Sequence, residues 1–208
     1  MLDARLRRLI DPPLDRAGRW LAVRGVDADT VTIVGFVFGL LAMLAIMREA
    51  YLAGLALLLV NRAADGLDGA VARQSRATDL GGFLDIVLDF IFYAGIVFAF
   101  AVADPERNAL AAALLLFAFV GTGSSFLAFA IMAAKRGLAT DRRGRKSLYY
   151  LGGLTEGSET ILFMALACLM PDRFALLAGI FALLCWLTTL GRCLSGLQLL
   201  RECRDESA

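Results

Sequence analysis

Six stretches of this chain carry almost no charge, and that restricts what it can fold into. Residues 31–47 and 50–60 are uncharged, 86–103 are broken only by Asp89, and 109–134, 160–170 and 174–191 are uncharged again. A bilayer core takes about 20 apolar residues per helix. Uncharged runs this long, in a chain that is 59% hydrophobic with a mean hydropathy of +0.70, fit a soluble helical core badly. The expected fold is an all-α membrane protein with six transmembrane helices, near 31–48, 51–75, 82–103, 108–135, 149–170 and 173–201, two of them with polar cytosolic ends. No linker or low-complexity stretch divides it. One domain is expected over 1–208, a surface helix over 1–27 followed by a six-helix bundle over 28–203.

The first residues lack the apolar core of a signal peptide. Leu2, Leu6, Leu9, Ile10, Leu14, Trp20 and Leu21 recur at helical spacing against Arg5, Arg8, Arg16 and Arg19. That pattern predicts an amphipathic helix lying on the membrane surface, broken or kinked at Pro12–Pro13.

Lys and Arg set the expected orientation. The N-terminal segment carries six arginines, and the loop after the second span has Arg73 and Arg76. The loop after the fourth has Lys135, Arg136, Arg142, Arg143, Arg145 and Lys146, and the tail has Arg192, Arg201 and Arg204. The intervening loops hold one each, Arg48, Arg107 and Arg173. Both termini are therefore expected in the cytosol, in a multi-pass protein of the cell (inner) membrane. The basic clusters lack interleaved stacking aromatics, so no nucleic-acid partner is expected. They would instead attract anionic membrane lipids. The four cysteines form no CxxC and read as small buried hydrophobes.

Against this apolar background the segment DGLDGAVARQSRATDLGGFLDIVLD, Asp65 to Asp89, holds five aspartates. Asp65 and Asp68 share one face of the second span; Asp85 and Asp89 share one face of the third. Ser75, Thr78, Gly81 and Gly82 mark the turn of an antiparallel hairpin, in which the two pairs can face each other near the cytosol. Four carboxylates there repel one another and resist desolvation, so a positive partner is needed. Arg62, Arg73 and Arg76 are near in sequence. Converging carboxylates are also what hard divalent cations require, and the chain has no histidine. An oxygen-only donor set points to Mg²⁺ or Mn²⁺, whose shell substrate phosphates complete. Two such ions would clamp an in-line displacement at phosphorus. Gly69 leaves room for a ligand beside the helix, Arg73 can hold a phosphate oxygen, and a carboxylate must serve as general base. Phosphoryl-type chemistry follows, at the membrane surface, on a substrate with a lipid end and a phosphate end.

The pattern Asp65-xx-Asp68-Gly69-xx-Ala72-Arg73 followed by Gly81-xxx-Asp85-xxx-Asp89 resembles the signature of the CDP-alcohol phosphatidyltransferase family. Six spans, cytosolic termini and a surface N-terminal helix are similar to that family too. One departure is the turn between Arg73 and Gly81, a residue shorter than the family's usual interval. The resemblance implies that Asp65 and Asp85 bridge two Mg²⁺ ions, for which Mn²⁺ can substitute. Asp68 then completes the first metal site and Asp89 the second, with Asp89 also the catalytic base. It implies that Gly69, Arg73 and Thr78 contact the CDP part of the donor. Asp29, Thr30 and Thr32 stand where members often show Pro-Asn-x-x-Thr; Ala28 and Asp29 replace the Pro and Asn. The implied reaction joins an alcohol to the phosphate bearing the lipid of a CDP-linked donor, CDP-diacylglycerol first among them, with CMP leaving. It also implies a homodimer.

Glu156 and Glu159 sit three apart at the start of the fifth span and are candidates for an acceptor pocket, as is Arg136 in the basic loop. The acids would favour a cationic or polyhydroxylated alcohol, the arginine a phosphorylated one. Pairing of the acids with Arg62 or Arg192 is the structural alternative, and the basic loop serves topology equally well. Rival classes are a carboxylate-lined cation or proton transporter, a polyprenyl transferase, and an inactive family member that binds. A transporter needs polar residues reaching the far side, where these spans are apolar. A polyprenyl transferase would show two separated aspartate-rich motifs.

Overall fold

The computed structural model describes residues 2–74, 78–135 and 154–205, with backbone alone at 2–10 and 199–205. The described residues form helices and short connections. The helices are α1 (Leu2–Val23), α2 (Ala28–Met47), α3 (Tyr51–Ala72), α4 (Asp79–Ala103), α5 (Pro105–Lys135), α6 (Gly157–Leu169) and α7 (Phe174–Asp205), with a single 3₁₀ turn at Pro171–Arg173.

Local chemistry explains the boundaries. α1 runs unbroken through Pro12 and Pro13, so the expected break is not present. It stops at Gly25, whose φ of +77° ends the helix while the Val26 N–H reaches back to the Leu21 carbonyl. α2 begins three residues earlier than expected because the Asp27 carboxylate accepts the Thr30 N–H at 2.7 Å. Hydrogen bonding from Thr30 also holds the Asp27 carboxyl below its ordinary pKa. α6 starts at Gly157, not near 149. Glu156 and Glu159 form a capping box there, the Glu156 N–H donating to Glu159 Oε2 at 3.2 Å. The preceding segment is tied to α7 instead, with the Leu154 and Thr155 N–H groups both donating to Thr188 Oγ1 at 3.1 Å.

α2, α4, α5 and the stretch Pro171–Gln198 are long and apolar enough to cross a membrane. α3 carries Arg62, Asp65 and Asp68 in its second half. The thirteen residues of α6 reach only about 20 Å at 1.5 Å per residue. Four of the six expected spans therefore meet the criterion of length and composition. Their outer faces stay apolar, with Leu110, Val120 and Leu183 well exposed, as expected of surfaces meeting lipid.

α2 lies along both α3 and α4, while the backbones of α3 and α4 stand further apart. The expected hairpin is thus antiparallel but not closely packed, and α2 fills one side of it. Gly35 and Gly39 permit this: a Cβ on Gly35 would lie 2.8 Å from Ala64 Cβ, and one on Gly39 2.8 Å from the Phe92 ring. α5 packs on α4 and α7, and α6 bridges α3 and α7. Gly121 faces Thr189 and Trp186 of α7, and Gly123 faces Phe90, so the small residues of α5 serve packing. The core gathers Phe92, Ile96 and Phe100 with Leu58, Leu115, Met164 and Phe174. Stacked rings, Tyr51 on Phe100 at 5.7 Å and Phe100 on Phe174 at 4.6 Å, fill the bundle about 22 Å from Asp85 along α4. Cys168 and Cys185 are buried among apolar neighbours, while Cys193 is exposed.

Candidate functional site

At the junction of α3 and α4 a cavity is lined by Thr32, Gly35 and Phe36 from α2, Asn61, Arg62, Asp65 and Asp68 from α3, and Asp85, Leu88 and Asp89 from α4. All four motif acids therefore face one space, as their i,i+3 and i,i+4 spacing predicts. One carboxylate oxygen each from Asp65, Asp68 and Asp85 lies within 4.8 Å of the others. Such a cluster of hard oxygens fits a divalent cation of the Mg²⁺ or Mn²⁺ kind.

The three acids differ in environment: Asp68 is buried, Asp65 half-buried and Asp85 exposed. Asp68 is positioned from α2, since Thr32 Oγ1 donates to its Oδ2 at 2.6 Å while also lying 3.0 Å from the Ala28 carbonyl. Thr32, expected at the donor, thus supports an acid directly.

Asp89 lies in the same wall but is held differently. Its Oδ1 accepts Arg62 Nη2 at 2.9 Å, while Arg62 Nη1 stands 3.7 Å from Asp65 Oδ2. Arg62 also donates to Tyr93 Oη at 2.9 Å and Asn61 Oδ1 at 2.8 Å. Its guanidinium carbon lies 4.4 Å from the Phe92 ring centroid. The sequence marked Arg62 only as a nearby cation. Tyr93 lies thirty-one residues from it and Asp89 twenty-seven, which left the network invisible there.

The glycines of the motif do different work. A Cβ on Gly69 would meet only Arg73 Nη1, at an ordinary 3.5 Å, so the fold leaves this position open. A Cβ on Gly81 would lie 2.7 Å from Asp29 Oδ1 and 3.2 Å from Thr78 Oγ1. Asp29 therefore reaches the first turn of α4, where a carboxylate suits the helix dipole. Thr78 caps α4, its Oγ1 accepting the Gly81 N–H at 3.0 Å. Thr30 is exposed at the first turn of α2. Arg73 sits at the end of α3, and its Nε and Nη2 both donate to Asp15 Oδ1 of α1, at 3.2 and 2.7 Å.

The candidate acceptor residues are not brought to this cavity's wall. Glu156 and Glu159 cap α6, with Ser158 Oγ also donating to Glu159 at 3.0 Å. Arg192 donates to the Thr122 carbonyl at 3.2 Å. Arg136 lies outside the described residues.

The chain is similar to known proteins in sequence and in fold. The family model for CDP-alcohol phosphatidyltransferase matches residues 26–193. The chain is 54% identical over 196 residues to inner membrane protein YnjF of Escherichia coli, covering 94% of this chain and 95% of that one. It is 36% identical over 106 residues to archaetidylinositol phosphate synthase of Pyrococcus horikoshii, half of this chain and 56% of that one. Its fold matches the phosphatidylinositol phosphate synthase PgsA1 of Mycobacterium tuberculosis at 21% identity. One structure of that enzyme has CDP-DAG bound, with a TM-score of 0.66 and coverage of 88% and 92%. Another, in complex with manganese and citrate, gives 0.69 with 88% of each chain covered.

Proposed function

The chain belongs to the CDP-alcohol phosphatidyltransferase family, and from that membership we propose that it transfers a phosphatidyl-type group from a CDP-linked donor, CDP-diacylglycerol foremost, to an alcohol. The observation that carries this reading is the convergence of Asp65, Asp68, Asp85 and Asp89 on one cavity. In the reaction the acceptor oxygen bonds to the phosphorus bearing the lipid, the bond from that phosphorus to the CMP oxygen breaks, and CMP departs. Asp89 takes the acceptor's proton. Asp65, Asp68 and Asp85 would hold a divalent ion, Mg²⁺ with Mn²⁺ as substitute, and Asp89 would help to hold a second. Bound there, such ions supply charge stabilisation at the phosphate oxygens. Gly69 leaves space beside α3 for the donor and Arg73 offers it a guanidinium. Thr78, Asp29 and Thr30 stand at the helix starts near that space.

The chain works in a membrane. α3 and α6 complete six spans, both termini are cytosolic, the site opens on the cytosolic side, and two copies pair. The apolar surface of the four long helices and the likeness to an inner membrane protein support the first statement. The Lys/Arg distribution supports the orientation.

The test is CMP release by the purified protein in detergent with Mg²⁺ and CDP-diacylglycerol, against a panel of alcohols, alongside Asp89→Asn. Release that depends on one alcohol and falls at least about 100-fold in the variant is expected, and names the acceptor. Absence of any Mg²⁺-dependent CDP binding would overturn the reading.

A further inference from the structure

Resting on the function proposed above, we propose that Arg62 is the positioning residue of Asp89, holding that carboxylate out of the Asp65, Asp68 and Asp85 group so that the cluster alone takes one divalent ion.

The observations form a chain across three helices. Asn61 Nδ2 donates to the Gly35 carbonyl of α2 at 2.8 Å, which fixes the amide and leaves its Oδ1 to accept Arg62 Nε at 2.8 Å. Arg62 Nη1 then reaches Tyr93 Oη and Nη2 reaches Asp89 Oδ1, both at 2.9 Å. The Arg62 side chain is only 8% exposed. A guanidinium buried this deeply needs good partners, and removing one leaves an uncompensated charge. Here the planar fork is met on its edges by the amide, phenol and carboxylate oxygens, and on its face by Phe92. A packing role alone is served as well by an apolar side chain; the bond to one particular carboxylate is what needs arginine.

Two consequences follow for the cluster. The three acids whose oxygens lie within 4.8 Å of one another exclude Asp89, because Asp89 is turned to Arg62 instead. A fixed positive charge 3.7 Å from Asp65 also weakens the cluster's pull on further cations. An ion that takes Asp89 as a ligand must therefore share it with Arg62.

The test is a Mn²⁺ titration without nucleotide, free ion read by electron paramagnetic resonance, on the full chain in detergent. Wild type is expected to bind one Mn²⁺, and Asp89→Asn to bind it within about twofold of wild type. Arg62→Gln is expected to take a second ion or to bind the first at least tenfold more tightly. Arg62→Gln combined with Asp89→Asn returns the count to one. Arg62→Lys keeps the charge and stays at one. A wild type that takes two ions, or loses its one ion with Asp89→Asn, overturns the proposal while the transferase reading stands. No Mn²⁺ bound by any variant overturns both. The Asp89→Asn arm decides the matter alone where the Arg62 variants do not fold.

Discussion

Two glycines of one motif separate architecture from chemistry. Alanine at Gly69 meets nothing but the end of a flexible arginine, and in a helix it is favoured over glycine by up to about 1 kcal/mol. Gly69→Ala is therefore expected to hold or raise the thermal midpoint while lowering CMP release by at least about tenfold, because the methyl group occupies the donor's space. Alanine at Gly81 would press on Asp29 and Thr78. Gly81→Ala is expected to lose about 1–3 kcal/mol of stability, measured by denaturation in detergent. Equal behaviour of the two variants would contradict this division. Both glycines were visible in the sequence as motif positions, and the acids' common face was readable from spacing alone. Which atom each residue meets was not. Thr32 and Asp68 are thirty-six residues apart, and Asp15 and Arg73 fifty-eight, distances over which periodicity carries no information.

Among the helices, α1 shows how an N-terminal element is coupled to the motif. Gly18 packs so tightly on Ala70 that a Cβ would lie 2.8 Å from its backbone carbon, and Leu14 covers Gly66. Those contacts lie on the face of α3 turned away from the acids, and they deliver Asp15 to Arg73. The ion pair is partly exposed and worth at most about 1 kcal/mol; the close packing holds the helix. Gly18→Leu is accordingly expected to lower the melting temperature clearly, and Asp15→Asn to leave it within error while changing KM for the CDP donor more than kcat. An Asp15→Asn variant as unstable as Gly18→Leu would show the ion pair to be the anchor. The heptad-like apolar pattern announced a helix at this place but not its docking, which rests on two glycines that hydropathy ignores. The late start of α6 has a similar origin. Its apolar run begins with Thr160, and the acids before it, legible as intramembrane carboxylates, are the capping box that starts the helix.

For the molecule as a whole, hydropathy predicted the all-helical class, and four spans follow by length and composition. α3 and α6 escape that criterion for opposite reasons, one carrying the charges of the site and the other being short. A reporter fused at the C-terminus is expected to fold in the cytosol as a fluorescent protein, and one inserted at Asp104 to be active only as an exported phosphatase. The reverse pattern would invert the orientation. Inside the bundle, every group assigned to the chemical step lies between Arg62 and Asp89, on two consecutive helices. A chain divided within the basic loop would leave the whole reactive set on the first fragment. Among the described residues α6 and α7 contribute nothing to the cavity's lining, so exchanging them between relatives is expected to alter the frame around the reactive set without rebuilding the set itself.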